Sequence, residues 1–179
     1  MKKTLILIVC LISSSLFLSL TGCDNIPTVK GAADDTLQKS DFNFIFKYGV
    51  TGRNTLDTFQ GTFTKDMVMD APVTIELTLS GEEMDSIYQK MVEIDFFNYP
   101  DKFSVSVPAG ELKTEVTPYS TYFFRVTYGS QTKELLWHDK ITNPDEKAGK
   151  LRELINFIRN IIESREEYKQ LPEASGGYL

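Results

Sequence analysis

Histidine and cysteine are nearly missing from this chain. Its 179 residues include one histidine, His138, and two cysteines, Cys10 and Cys23. A zinc site takes three or four nitrogen, sulfur or carboxylate ligands in defined spacing, and a lone histidine far from either cysteine does not supply them. An excess of basic residues is also missing: 19 Lys and Arg stand against 25 Asp and Glu, a formal charge of −6. An acidic surface repels phosphate backbones, which excludes nucleic acid as a partner and docking through a basic patch. No serine occupies a Gly-x-Ser-x-Gly elbow, so the one histidine has no hydrolase nucleophile of that type to serve. No glycine-rich loop of the phosphate-cradling kind occurs either. The one sustained apolar run, Leu5 to Leu20, is interrupted by serines and falls short of the about 20 residues that a spanning helix needs.

That run has a context. Lys2 and Lys3 precede it and the small residues Thr21 and Gly22 follow it, the layout of an export signal. The segment Leu20-Thr21-Gly22-Cys23 resembles the lipobox of bacterial lipoproteins: an aliphatic residue, two small residues and the cysteine. The resemblance covers residues 1–23 alone. It implies that diacylglycerol is attached to the Cys23 sulfur, that residues 1–22 are cleaved off, and that the protein sits on the extracytoplasmic face of a cell membrane. Diacylglycerol brings two acyl chains, and two chains hold a membrane stably where one does so only marginally. Asp24, next in line, resembles the inner-membrane retention signal of enteric bacteria. On the same resemblance Cys10 is removed and the Cys23 thiol is taken by lipid. No cysteine nucleophile and no disulfide then remain, and packing alone must hold the exported domain together.

Past Cys23 the chain is expected to divide into three. Residues 23–40, with Pro27, Gly31 and Asp34-Asp35, read as a tether whose random-coil reach is roughly 20–25 Å. Residues 41–166 read as one domain, and residues 167–179, with Pro172 and Gly176-Gly177, as a loose tail. Within the domain Phe42, Phe44, Phe46 and Tyr48 alternate as in a strand with one buried face. Phe59, Gly61 and Phe63 mark a second strand and Val73 to Leu79 a third. Ser80 with Glu83 forms a capping box ahead of a helix striped by Met84, Ile87, Tyr88, Met91 and Ile94. Val105 and Val107 point to a short strand, and Leu112, Thr114 and Val116 to another. Tyr122–Tyr128 and Gln131–His138 then read as a hairpin about Gly129-Ser130, a type II′ turn that sets Phe124 against Leu135, Tyr122 against Trp137 and Arg125 against Glu134. Asn143, followed by Pro144, is expected to cap a last helix whose stripe runs from Ala148 to Ile162. The fold class is therefore α+β: an antiparallel β-sheet with two amphipathic helices packed on one face, in the order β-β-β-α-β(2–4)-α.

Candidate chemistry is sparse, and no metal or cofactor is implied. By the hairpin register His138 shares a side with Glu134 and Arg125, as an ordinary outward residue of a strand. Met67 and Met69 beside Asp66 and Asp70 offer a thin thioether set for copper, and Asp57, Asp66 and Asp70 a weak calcium set without the 12-residue loop. Asp95, set between Ile94 and Phe96, and Asp66 are the acids a carboxylate enzyme would use. Aromatic residues are plentiful: 12 Phe, 8 Tyr and one Trp. Most fit the alternating core faces, but Phe96, Phe97, Tyr99, Tyr119 and Tyr122 fall at element boundaries beside prolines. Two readings stand for these five: they plug the ends of the core, or they form a contact surface for a protein, peptide or sugar. Together these features point to a membrane-anchored lipoprotein of the cell envelope that binds an unidentified partner rather than catalysing a reaction. A carboxylate-dependent envelope enzyme and an inhibitor or immunity protein for an exported enzyme are the alternatives.

Overall fold

The computed structural model describes residues 41–178. The expected export signal, Cys23 and the expected tether, all within residues 1–40, lie outside the described residues, as does Leu179. The elements are β1 (Asn43–Tyr48), β2 (Asn54–Asp57), β3 (Thr62–Lys65), β4 (Val73–Glu76), α1 (Gly81–Glu93), a 3-10 turn (Phe96–Asn98), β5 (Lys102–Phe103), β6 (Glu115–Tyr128), β7 (Gln131–Ile141), α2 (Glu146–Ser164) and the short α3 (Glu166–Lys169). The strands form one sheet in the order β4-β3-β2-β1-β6-β7-β5. Neighbours run antiparallel except β5, which lies parallel to β7. The α+β class is as the sequence implies, with a sheet that is mixed at one edge. No helix of the described residues is long and apolar enough to cross a membrane.

Register and alternation decide which face is buried. Phe46 of β1 stands opposite Leu56 of β2 and Phe124 of β6; Leu56 in turn faces Phe63, and Phe124 faces Leu135. All five are fully buried. Because side chains alternate along a strand, this one row commits Phe44, Tyr48, Val126 and Trp137 to the same face. The helices cover that face with Ile87, Tyr88 and Met91 from α1 and Leu151, Leu154, Ile155, Ile158 and Ile162 from α2. The Phe46 and Phe124 rings stack at 4.6 Å, and Phe96 meets Phe124 edge-on at 5.2 Å. Burying each such side chain contributes about 1.5–3 kcal/mol.

Local chemistry sets the element ends. Ser80 accepts from the Glu83 amide at 3.2 Å while its own amide donates to Glu83 Oε2 at 2.7 Å, closing the expected capping box. The long hairpin has the expected register, with Gly129 at φ 53° and no positive φ at Ser130. The start of α2 differs from expectation. Asp145, not Asn143, is the cap, accepting from the Ala148 amide at 2.8 Å. The Asn143 side chain is used elsewhere: it accepts from the Thr114 amide and donates to the Leu112 carbonyl, fastening the approach to β6.

Two further expectations change. The second predicted strand keeps only its Phe63 end, as β3; Phe59 and Gly61 lie in the turn before it, Phe59 48% exposed, and β2 ahead of that turn is a strand the sequence reading did not include. Asp57 closes that turn by accepting from the Phe59 and Gln60 amides. The segment from residue 167 is not loose where it is described. Tyr168 packs on Phe63 at 5.5 Å, Leu171 is buried, Ser175 bridges Val68, and Lys65 Nζ donates to the Pro172 carbonyl at 2.8 Å. Apolar side chains at 168 and 171 and short polar ties beyond them bind the segment to the β3–β4 connection, despite its proline and glycines.

Candidate functional site

The five aromatic candidates separate into three places. Phe96 and Tyr99 are buried, and Phe97 is half-buried against Tyr128 at 4.3 Å. Tyr99 donates its hydroxyl proton to the Lys147 carbonyl at 2.9 Å. Burial raises its pKa, and the nearby Asp145, Asp95 and Glu146 raise it further, to about 12. Phe96 and Tyr99 thus belong to the core, and Phe97 packs against its edge. Tyr122 is half-buried on the helix side, its ring 5.6 Å from Trp137. Only Tyr119 lies on the opposite face of the sheet, edge-on to His138 at 5.9 Å.

The candidate acids are not brought together. Asp95 is exposed in the left-handed region, φ 60°, and its Oδ1 accepts from the Asn98 side-chain Nδ2 at 2.6 Å. Asp66 is occupied by a separate network. Tyr178 donates to its Oδ2, Thr51 Oγ1 does so at 3.3 Å, and the Val68 amide donates to Oδ1 at 3.1 Å. Burial pushes the Asp66 carboxyl up, but the bonds from Tyr178 and Val68, the nearby Arg53 and the bond from Thr51 outweigh it and hold the carboxyl below its usual value. Asp57 is spent on its turn, and Ser175 donates to Asp70. Met67 is buried while Met69 is 76% exposed. Among the described residues no group of three or more His, Cys, Asp or Glu is placed to hold a metal ion.

The helix-free face of the sheet holds what the aromatic pattern did not reveal. The outward residues of β1, β6 and β7 meet there across two rows: Ile45–Arg125–Glu134 and Lys47–Phe123–Leu136. Ile45, Phe123 and Leu136 are half-buried in a groove of about 430 Å³, whose border includes Lys47, Arg125 and Thr121. Arg125 is oriented by Glu134, its Nε donating at 2.8 Å, and lies 6.0 Å from the Phe123 ring centre. The Lys47 ammonium has no ion pair among the described residues. One end is closed by the β1–β2 turn. There the Thr121 amide donates to the Gly49 carbonyl at 2.8 Å, and Gly49 adopts φ 105°, where a Cβ would also lie 2.9 Å from the Asn54 side chain. Beyond Thr121 the face continues to His138, whose Nδ1 is 3.1 Å from Thr121 Oγ1. Among the described residues this is an apolar floor with a cationic border. Ile45, Phe123 and Leu136 carried the available signal, as large apolar residues in the outward phase of otherwise polar strand faces.

A scan against family models finds no match to this chain, and a search of curated proteins finds none.

Proposed function

We propose that this chain is a lipid-anchored protein of the extracytoplasmic membrane face whose folded domain binds a partner or ligand rather than transforming it. The observation that carries the anchor is Leu20-Thr21-Gly22-Cys23 directly behind a short basic start and an apolar run. Diacylglycerol on Cys23 supplies two acyl chains, enough for stable attachment without an amphipathic helix. The binding half of the reading is supported by the half-buried apolar groove on the helix-free sheet face. It is also supported by the separate engagements of Asp66 and Asp95, which keep these two acids from facing each other across a cleft.

Expression of the full chain in a bacterial host fed an alkyne-bearing fatty acid tests the anchor. Labelled, shortened protein should sediment with membranes, and Cys23→Ala should accumulate unlabelled at precursor length. Unlabelled wild-type protein in the soluble fraction overturns the anchor. Turnover of a hydrolase substrate that is abolished by Asp66→Asn, Asp95→Asn or His138→Ala overturns the binding reading in favour of an enzyme. Stoichiometric co-purification with an exported hydrolase identifies the partner class as that of an inhibitor.

A further inference from the structure

We infer that the groove on the helix-free sheet face is a binding site for a small organic carboxylate with an aromatic or branched aliphatic body. The inference rests on the reading that the domain binds rather than reacts, and it names the site and the ligand class.

Three features of the groove converge on that chemistry. Its volume, about 430 Å³, lies within the roughly 300–1,000 Å³ range of small-molecule pockets. Its floor is apolar, because Ile45, Phe123 and Leu136 come from three adjacent strands and point away from the core. An antiparallel sheet with one solvated face ordinarily alternates apolar inward and polar outward; three half-buried apolar residues on the outer side depart from that pattern. The charge is the third feature. In a chain of net charge −6, this border carries Lys47, which makes no ion pair among the described residues, and Arg125, which pairs with Glu134. Lys47 stands directly opposite Phe123, and Phe123 opposite Leu136, so the free ammonium adjoins the apolar floor. A ligand that lays its hydrophobic body along Phe123 and Leu136 brings its carboxylate to Lys47. Thr121, on the same border, offers its hydroxyl proton to the second carboxylate oxygen when His138 Nδ1 is the donor in the bond between them. Glu134 holds Arg125 in place at 2.8 Å and disfavours a second anionic group at the Arg125 end.

Lipidated full-length protein in phosphatidylcholine nanodiscs, dialysed to equilibrium with 2-naphthoate against empty discs, tests the site. Saturable binding of one naphthoate per chain is expected. Lys47→Glu should weaken it by about tenfold or more, because it replaces attraction by repulsion close to the carboxylate, while Lys47→Arg should stay within about threefold. Lys150→Glu makes the same change of net charge on α2, across the sheet from the groove, and should leave binding unchanged. The neutral 2-naphthamide should bind the wild-type protein at least about fivefold more weakly than the carboxylate, a comparison that needs no variant to fold. Absence of saturable naphthoate binding, equal binding by Lys47→Glu, or equal binding of the amide each overturns the site. Fatty-acid labelling and partner capture by the same preparations report separately on the anchor and the binding reading. Loss of naphthoate binding with capture intact therefore condemns the groove alone.

Discussion

Arg152 of α2 grips Asp139 of β7 with both arms of its guanidinium, Nε to Oδ2 at 3.0 Å and a terminal nitrogen to Oδ1 at 2.6 Å. The same guanidinium lies 5.1 Å from the Trp137 ring centre. One side chain thus ties the long helix to the long hairpin by a forked ion pair and by a ring contact. A lysine keeps the charge but not the fork or the flat face. Arg152→Lys should therefore lower stability in urea by about 1 kcal/mol. An unchanged midpoint would show that the fork and the ring contact add nothing to what a lysine's charge supplies.

Phe124 is held between Phe46 and Phe96 at the centre of the sheet. Phe124→Ala should cost about 3–5 kcal/mol, the removed transfer energy plus the cavity left behind. Chemical denaturation would read this as a midpoint shift at constant slope. A loss below about 1 kcal/mol would mean that the neighbouring rings collapse to fill the space.

Ser80 and Glu83 close the start of α1 reciprocally. Ser80→Ala should cost about 1 kcal/mol and Ser80→Gly only a few tenths. A larger loss with glycine than with alanine would contradict the cap as the source of the effect.

The Asp66 carboxyl is more acidic folded than unfolded. It therefore contributes stability above its unfolded value near 3.9, and that contribution is lost as the pH falls through the lower folded value. The Val68 amide, which donates to Asp66, should lose its hydrogen-exchange protection only as the pH falls through that lower folded value, while the Phe124 amide keeps its own. Asp66→Asn should remove the acid-dependent step at Val68. Persistence of that step in the variant would place its cause elsewhere.

Tyr99 behaves in the opposite sense. Its folded value is pushed up to about 12, above the ordinary value near 10, so its contribution is complete below about pH 10 and is lost between the two. Tyr99→Phe should cost about 1 kcal/mol at neutral pH for the lost bond to Lys147. It should also make the alkaline fall in stability shallower. Identical alkaline profiles would show that other groups control that limb; one of them is Tyr48, whose hydroxyl burial raises strongly.

The core-forming half of the fold was legible because its signals are local. Phe44, Phe46 and Tyr48 repeat at period two, Ser80 and Glu83 are three apart, and Gly129-Ser130 sits between two alternating runs. β2 was not legible because Asn54-Thr55-Leu56-Asp57 carries one apolar residue, and its pairing with β1 and β3 rather than its composition makes it a strand. Asn143 was mistaken for a cap because the competing use of its side chain, at Leu112 and Thr114, lies some thirty positions away. Which of the two readings holds for Phe96 and Tyr99 was not legible because their cover comes from β6 and α2, distant in the chain. The groove was hidden for a related reason: Ile45 and Lys47 meet Phe123 and Arg125 only through the pairing of the first strand with the sixth.

That pairing also governs when the chain can fold. β1 comes first among the described strands, yet it lies in the middle of the finished sheet, with β2 on one side and β6 on the other. A polypeptide emerging from its N-terminus can make the β2–β3–β4 meander early, but Phe44, Phe46 and Tyr48 must wait for Phe124 and Val126 before one flank of β1 is closed. Pairings this distant in the chain form late, because the loop must close before any contact rewards it. A product ending anywhere before β6 therefore leaves Phe44 and Phe46 without their cross-strand partners Val126 and Phe124, prey to proteases and to other unfinished chains.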